Sequence, residues 1–127
     1  MKIHLWLPEL ARTKGGIQVF SGFFLRALVG SVGGTRLRLF CKNDRPDSLD
    51  GLLPQGITAR CAGDWPGVTR TFAFVGQIVP ASVREMPDLI ICGHMNFALA
   101  AHWVHRWKGI PYWIIAHGIE GWDLRRP

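Results

Sequence analysis

"PDLIICGHMNFALAAHWVHRWKGIPYWIIAH", Pro87 to His117, decides the fold. Two continuous apolar runs, "DLIIC" and "YWIIA", enclose a segment whose apolar residues recur at helical spacing. Uninterrupted runs are what strands covered on both faces carry, whereas alternation marks a sheet with one wet face. A strand, a helix and a second strand in this order predict a parallel pair joined by a right-handed crossover. In the helix, Phe97, Ala101, Val104 and Lys108 line one face, and Leu99, Trp103 and Trp107 line another. Apolar on more than one side and poor in charge, this helix reads as buried.

Working outward from this stretch, three earlier runs have the same character: "KIHLWL", "RLRLFC" and "GITARC". Between the first two, Ile17, Phe20, Phe24, Leu25 and Leu28 follow an i, i+3, i+7, i+8, i+11 pattern, which predicts a helix with one apolar face. In "TRTFAFVGQIVPASVRE", Phe72, Phe74 and Val75 start a helix that Pro80 is expected to end or kink. "KNDRPDSLDGLLPQG", Lys42 to Gly56, reads as a loop with turn signals and one short helix. Strands alternating with helices predict an α/β architecture, a Rossmann-like doubly wound parallel sheet with the first strand central. Ligands of such sheets bind beyond the carboxyl ends of the strands.

The 127 residues are 48% apolar, enough for one folded domain with a core of its own. Cys41, Cys61 and Cys92 lie in or beside apolar runs without metal-like spacing, so they read as buried free thiols of a reducing compartment. No apolar run approaches the ~20 residues of a membrane span. In "MKIHLWLPELARTKGG" the apolar stretch is too short and too interrupted for a signal peptide. Fifteen Lys and Arg, mostly Arg, against nine acids give +6. That surplus suits phosphate-bearing partners such as anionic lipid or sugar phosphates. The basic residues are scattered and lack the aromatic interleaving of a single-strand platform, so nucleic acid is not an expected partner.

Candidate site residues gather on the predicted carboxyl edge. Gly15 and Gly16 precede the first helix, where bare backbone and free N–H groups admit an anion, and Arg12 and Lys14 add charge beside them. His94 and Asn96 follow the fourth strand, and His117 and Gly118 follow the fifth. His102 and His105, three apart on a helix, lack an acid or Cys to complete a metal site, so no metal is expected. His4 reads as structural. Ser21 and Ser31 lie outside any nucleophile elbow, so no serine nucleophile is expected.

"KGGIQVFSGFFLRAL" resembles the Gly-Gly loop and first helix of family 4 retaining glycosyltransferases, and "PDLIICGHMNFALAAHWVHRWKGIPYWIIAHGIEGW" resembles their strand–helix–strand with its His-Gly motif. The resemblance runs roughly from Met1 to Trp122 and is weakest between Lys42 and Glu85. It implies the GT-B fold, two Rossmann-like domains facing across a cleft. Residues 1–127 would be the N-terminal, acceptor-side domain, itself expected to be incomplete, and a C-terminal donor-binding domain is expected outside this sequence. That domain's motif of two glutamates separated by seven residues is absent, since Glu9, Glu85 and Glu120 are the only glutamates.

What the resemblance implies for individual residues is as follows. Gly15 and Gly16, with Lys14 and Arg12, would approach the donor diphosphate or sugar. His117 would contact the transferred sugar as the catalytic residue, Gly118 would keep its turn open, and His94, Asn96 and Glu120 would line the acceptor pocket. The leaving diphosphate would assist deprotonation of the acceptor, with no protein nucleophile. The implied co-substrate is a nucleotide-sugar, with no separate cofactor, and the acceptor is a glycan, lipid or small molecule, as in cell-envelope polysaccharide synthesis. The expected location is cytoplasmic, with peripheral contact at the inner face of the membrane. Alternatives are a non-catalytic recruiting subunit of a two-chain glycosyltransferase and a stand-alone phosphate- or small-molecule-binding Rossmann-like module. The chain alone is expected to be inactive, and Trp122 to be left exposed where a partner domain docks.

Overall fold

The computed structural model of the chain describes residues 2–10, 16–32, 36–49, 51–54, 57 and 59–115. All five apolar runs form strands: β1 (Ile3–Leu7), β2 (Leu37–Cys41), β3 (Ala59–Cys61), β4 (Leu89–Cys92) and β5 (Tyr112–Ile114). They make one sheet in the order β3-β2-β1-β4-β5, and every neighbouring pair is parallel. The first strand is central, as the doubly wound reading predicts. β1 and β4 are buried at every position, which is why their sequences do not alternate.

Helices cover both faces. α1 (Gly16–Val32) sends Leu25, with the partly buried Phe24, Leu28 and Val29, into a core with Ile3, Leu5, Leu7, Leu37, Leu39 and Ile91. α2 (Gly67–Glu85) and α3 (Ala98–Lys108) lie on the other face, where Phe74, Ile78, Ala101 and Val104 meet Trp6, Phe40 and Ile90. Alternate residues of β1 thus feed opposite cores, the period-2 geometry of an extended strand. Among its described residues, the Lys42–Gly56 segment carries a 3-10 turn, Pro46–Leu49, which buries Leu49.

Three expectations change. Pro80 stands inside α2 without ending it. The buried row of Phe74, Ile78, Ala81 and Ser82 continues past it, and the proline itself is exposed, so core burial outweighs the lost i→i−4 bond and the ring displaces nothing in the core. Phe20 is placed on the solvent side of α1, 43% exposed and stacked on Phe24. α3 has one buried face: Leu99, Trp103 and Trp107 face outward, because α2 and the sheet supply cover only for the side bearing Ala101 and Val104.

The helix ends are set locally. α2 stops at Met86 in the left-handed region (φ 48°), whose N–H reaches Ser82 O, and Pro87 follows. α3 stops at Gly109 (φ 73°), where glycine adopts that conformation without steric cost, after a last turn bearing His105, Arg106 and Lys108.

His4 is fully buried at the centre of the sheet, with Nε2 3.2 Å from Glu85 Oε1, and Arg38 Nη1 holds the other Glu85 oxygen at 3.2 Å. Its Nδ1 is buried without a hydrogen-bond partner. Burial holds its pKa below the ordinary 6.5, with Glu85 acting against that shift. Because the folded chain binds this proton more weakly than the unfolded chain, the stability tied to neutral His4 is full above pH 6.5 and is lost as the pH falls below it. The thermal midpoint should therefore drop between pH 7.5 and pH 5, and His4→Gln should drop less over the same interval. Equal pH dependence in both would refute the assignment.

Candidate functional site

The carboxyl edge of the sheet is built by hydrogen bonds between loops. Beyond β1 and β2, Lys42 N donates to Leu7 O (3.0 Å) and Asn43 N to Pro8 O (2.8 Å). Asp44 is buried, and its Oδ2 accepts from Leu10 N, drawing the residues that follow β1 against the loop after β2. Gly63, after β3, donates to Asp44 O at 3.0 Å. A Cβ there would run into the backbone carbonyls of Asn43 and Asp44. From α2, Arg70 donates to Trp65 O (2.9 Å), Gly63 O (3.2 Å) and Asn43 Oδ1 (3.4 Å), tying the β2 and β3 loops to the helix. Three loops are thus fastened to one another by backbone groups and the side chains of Asn43, Asp44 and Arg70.

On the other side of β1, Gly93 follows β4 and donates to Trp6 O at 2.7 Å. A Cβ at this position would lie 2.5 Å from Leu7 Cδ2 and 3.0 Å from Trp6 O. The glycine lets the chain leave β4 pressed against β1 and turn at once into the 3-10 turn Met95–Phe97. His94 caps that turn: its Nδ1 accepts from Asn96 N at 3.1 Å. In the neutral ring this places the proton on Nε2. His94 is half-buried and Asn96 exposed, so both stand at the edge where an acceptor pocket is expected.

The first residue of α1 is Gly16, at the same edge, and the first turn of the helix contains no acid. α2 also begins at this edge, behind Pro66, with no acid in its first turn. The first N–H groups and the dipoles of both helices point to this edge and give it a positive electrostatic character suited to an anion. β5 leaves by the same side, where Ile115 N donates to Cys92 O at 2.9 Å. The structure thus brings Gly16, His94 and Asn96 onto one edge. Arg12, Lys14, Gly15, His117, Gly118, Glu120 and Trp122 lie outside the described residues.

The remaining histidines and thiols serve the fold. His102 Nδ1 lies 3.1 Å from Tyr112 Oη, and His105 Nδ1–H donates to Ile110 O at 3.0 Å, so both join α3 to β5. Among the described residues no three His, Cys, Asp or Glu side chains converge on a point that would hold a metal ion. The three cysteines are free thiols. Burial pushes Cys92 up to about 12 and, with Asp44 adding to the effect, Cys61 up to about 11, so neither is a ready nucleophile.

Asp44, Gly63, Arg70 and Gly93 are edge residues that sequence reasoning passed over. Gly93, directly after an apolar run, carried a readable signal. Asp44 sits among polar turn residues, where a solvated carboxylate is the ordinary expectation.

No protein-family model matches the chain, and no curated protein does. Among solved structures, it is similar to the apo form of the lipopolysaccharide outer core galactosyltransferase WaaB, with a TM-score of 0.58 and 18% identity. The match covers 90% of this chain and 32% of that one, so the chain spans about a third of its length. The fold is therefore that of a Rossmann-like α/β domain similar to a domain of a GT-B glycosyltransferase. At this identity the likeness bears on the fold, and membership of family 4 does not follow from it. Among the described residues no helix is long and apolar enough to cross a membrane.

Two substitutions test the edge. Asp44→Ala leaves Leu10 N–H without its charged acceptor and should cost about 2 kcal/mol. Gly63→Ala forces a backbone shift and should cost about 2–3 kcal/mol. Both are read from urea midpoints. A neutral result at both positions would mean that the loops are not held as described.

Proposed function

We propose that this chain is the acceptor-side domain of a retaining glycosyltransferase that moves a sugar from a nucleotide-sugar to a glycan, lipid or small-molecule acceptor. The observation that carries the reading is the all-parallel β3-β2-β1-β4-β5 sheet, with its likeness to a galactosyltransferase over 90% of the chain. The placement of Gly16, His94 and Asn96 on one edge agrees with it.

In this reading the start of α1, with Gly15, Gly16, Lys14 and Arg12, approaches the donor diphosphate, and its N–H groups and cations stabilise charge on the departing group. His117 contacts the transferred sugar, Gly118 keeps the turn open, and His94, Asn96 and Glu120 line the acceptor side. The departing diphosphate takes part in deprotonating the acceptor hydroxyl, so no protein nucleophile is required. The donor's nucleotide is held by a second domain or chain facing this edge. The first turns of α1 hold Val19, Phe20 and Phe23 exposed beside the edge, an apolar rim against which a facing domain closes.

Without that domain the edge is open to water, which screens the cations and removes the benefit of a closed site. The chain alone should bind pyrophosphate at about millimolar strength, roughly −4 kcal/mol. It should show no turnover with any nucleotide-sugar. Mixed with a matching donor-binding domain it should transfer sugar, and His117→Ala should abolish most of that activity. Turnover by the chain alone would refute the half-site reading. Activity in the mixture that survives His117→Ala would instead favour the recruiting-subunit alternative.

A further inference from the structure

The outer surface of α2 and α3 is more apolar than a solvent-facing helix pair needs to be. On α2, Arg70 and Gln77 bond toward Gly63, Asn43 and Cys61, so that flank faces β3. The opposite flank, bearing Val68, Phe72, Val75 and Val79 at helical spacing, therefore faces α3. On α3, His102 and His105 bond toward Tyr112 and Ile110, so that flank faces β5. Its opposite flank, on the side of α2 but not covered by it, carries Trp103 and Trp107, with Leu99 beside them. The two helices run side by side in the same direction, since each returns from the carboxyl edge of the sheet to begin the next strand. Two apolar rows thus border one seam, and it is open: Val68 is 74% exposed, Phe72 72%, Leu99 81%, Trp103 55% and Trp107 54%.

The cations beside the seam are Arg106 and Lys108 of α3, since Arg70 and Arg84 lie on the β3 flank of α2, and the only acid on either helix is Glu85. That carboxylate is held by Arg38 and His4. Lys108 Nζ lies over the Trp107 ring, 5.0 Å from its centroid, so a cation and an indole stand together at the end of the row. The indole rings of Trp103 and Trp107 pack on each other at 5.1 Å. Indoles beside leucine and valine, bordered by Arg and Lys, match the depth profile of a lipid interface: acyl chains below, carbonyl groups at ring level, phosphates above. A second copy of the chain would bring two cationic faces together, which charge disfavours.

We propose that the α2–α3 seam is a docking face for an anionic lipid surface, with Leu99, Trp103, Trp107 and Phe72 entering the interface and Arg106 and Lys108 meeting lipid phosphates. The seam lies on the flank of the sheet, so docking leaves the carboxyl edge open. The inference does not depend on sugar transfer, and its test contains no sugar.

The full chain is mixed with vesicles of phosphatidylcholine alone, or of phosphatidylcholine and phosphatidylglycerol in equal parts, and binding is read by cosedimentation and by tryptophan emission. Binding to the anionic vesicles with a blue shift is expected, at least tenfold stronger than to the neutral ones and weakened by salt. Arg106→Gln with Lys108→Gln should weaken it about thirtyfold, two charges at about 1 kcal/mol each. Trp103→Ser with Trp107→Ser should remove most of the blue shift and weaken binding at least tenfold, while the thermal midpoint, set by a core these rings do not enter, stays within a few degrees. Equal binding to both vesicle types, no binding to either, or anionic binding untouched by the tryptophan pair would overturn the proposal. A dimer in sedimentation velocity that Trp103→Ser dissociates would also overturn it and assign the face to self-association.

Discussion

The burial of β1 on both faces is the constraint on which the other elements depend. Five consecutive residues, Ile3 to Leu7, are buried, and an extended strand sends them alternately to opposite sides. Each side therefore needs its own apolar layer. α1 supplies one with Leu25, and α2 and α3 supply the other with Phe74, Ile78, Ala101 and Val104. A fully buried side chain of this size contributes about 1.5–3 kcal/mol, so leaving either face bare would cost more than a small domain's whole margin. Helical returns on both faces in turn make every strand parallel and place both of β1's neighbours in register along it. Gly93 belongs to the same constraint, because a side chain there would push β4 away from Leu7 and Trp6.

A sheet covered in this way leaves function to its edge. All five strands point the same way, so the loops that follow them gather on one side, and so do the starts of the helices they lead into. Loops carry backbone groups without ladder partners, and here those groups bond across from loop to loop: Lys42 to Leu7, Asn43 to Pro8, Gly63 to Asp44. Asp44 and Arg70 add charged bonds to the same web. The edge is therefore stiff around β1, β2 and β3, which suits a surface that must meet a ligand without rearranging.

Much of the fold was legible because burial leaves its mark on composition. The strands are continuous apolar runs, and the helices between them show a 3.6-residue period. What could not be read are features set by partners distant in sequence. Pro80 looks like a helix end until Ala81 and Ser82 are seen to be needed in the core. Phe20 fits the helical period yet faces solvent, because α1 spans more than the sheet beneath it. Leu99, Trp103 and Trp107 look like a second buried face, although no described element covers them. Asp44 reads as one more turn residue, and only the approach of Leu10 from 34 positions away makes it structural. Of the candidate site, the sequence order placed Gly16, His94 and Asn96 on one edge, because in a parallel sheet both the residues just past a strand and the start of the helix that follows lie at the strands' carboxyl ends. The roles of these residues rest on chemistry that the fold permits and does not by itself specify.

The edge and the α2–α3 seam differ in what they attract, and the sheet keeps them apart. Helix starts without acids favour an anion at the edge, where backbone donors point along the helix axes. The seam lies along the sides of the same helices, where side chains rather than backbone meet the surroundings, so its apolar rows attract through area and its basic residues through charge. α2 contributes to both surfaces: its first turn faces the edge, and Val68, Phe72, Val75 and Val79 line its flank. That double use explains the departure of α2 and α3 from ordinary amphipathic helices. A helix with one core face and one polar face serves a sheet alone, whereas α3 keeps a core face, a polar flank bonded to β5 and a third, apolar flank that the folded domain does not require.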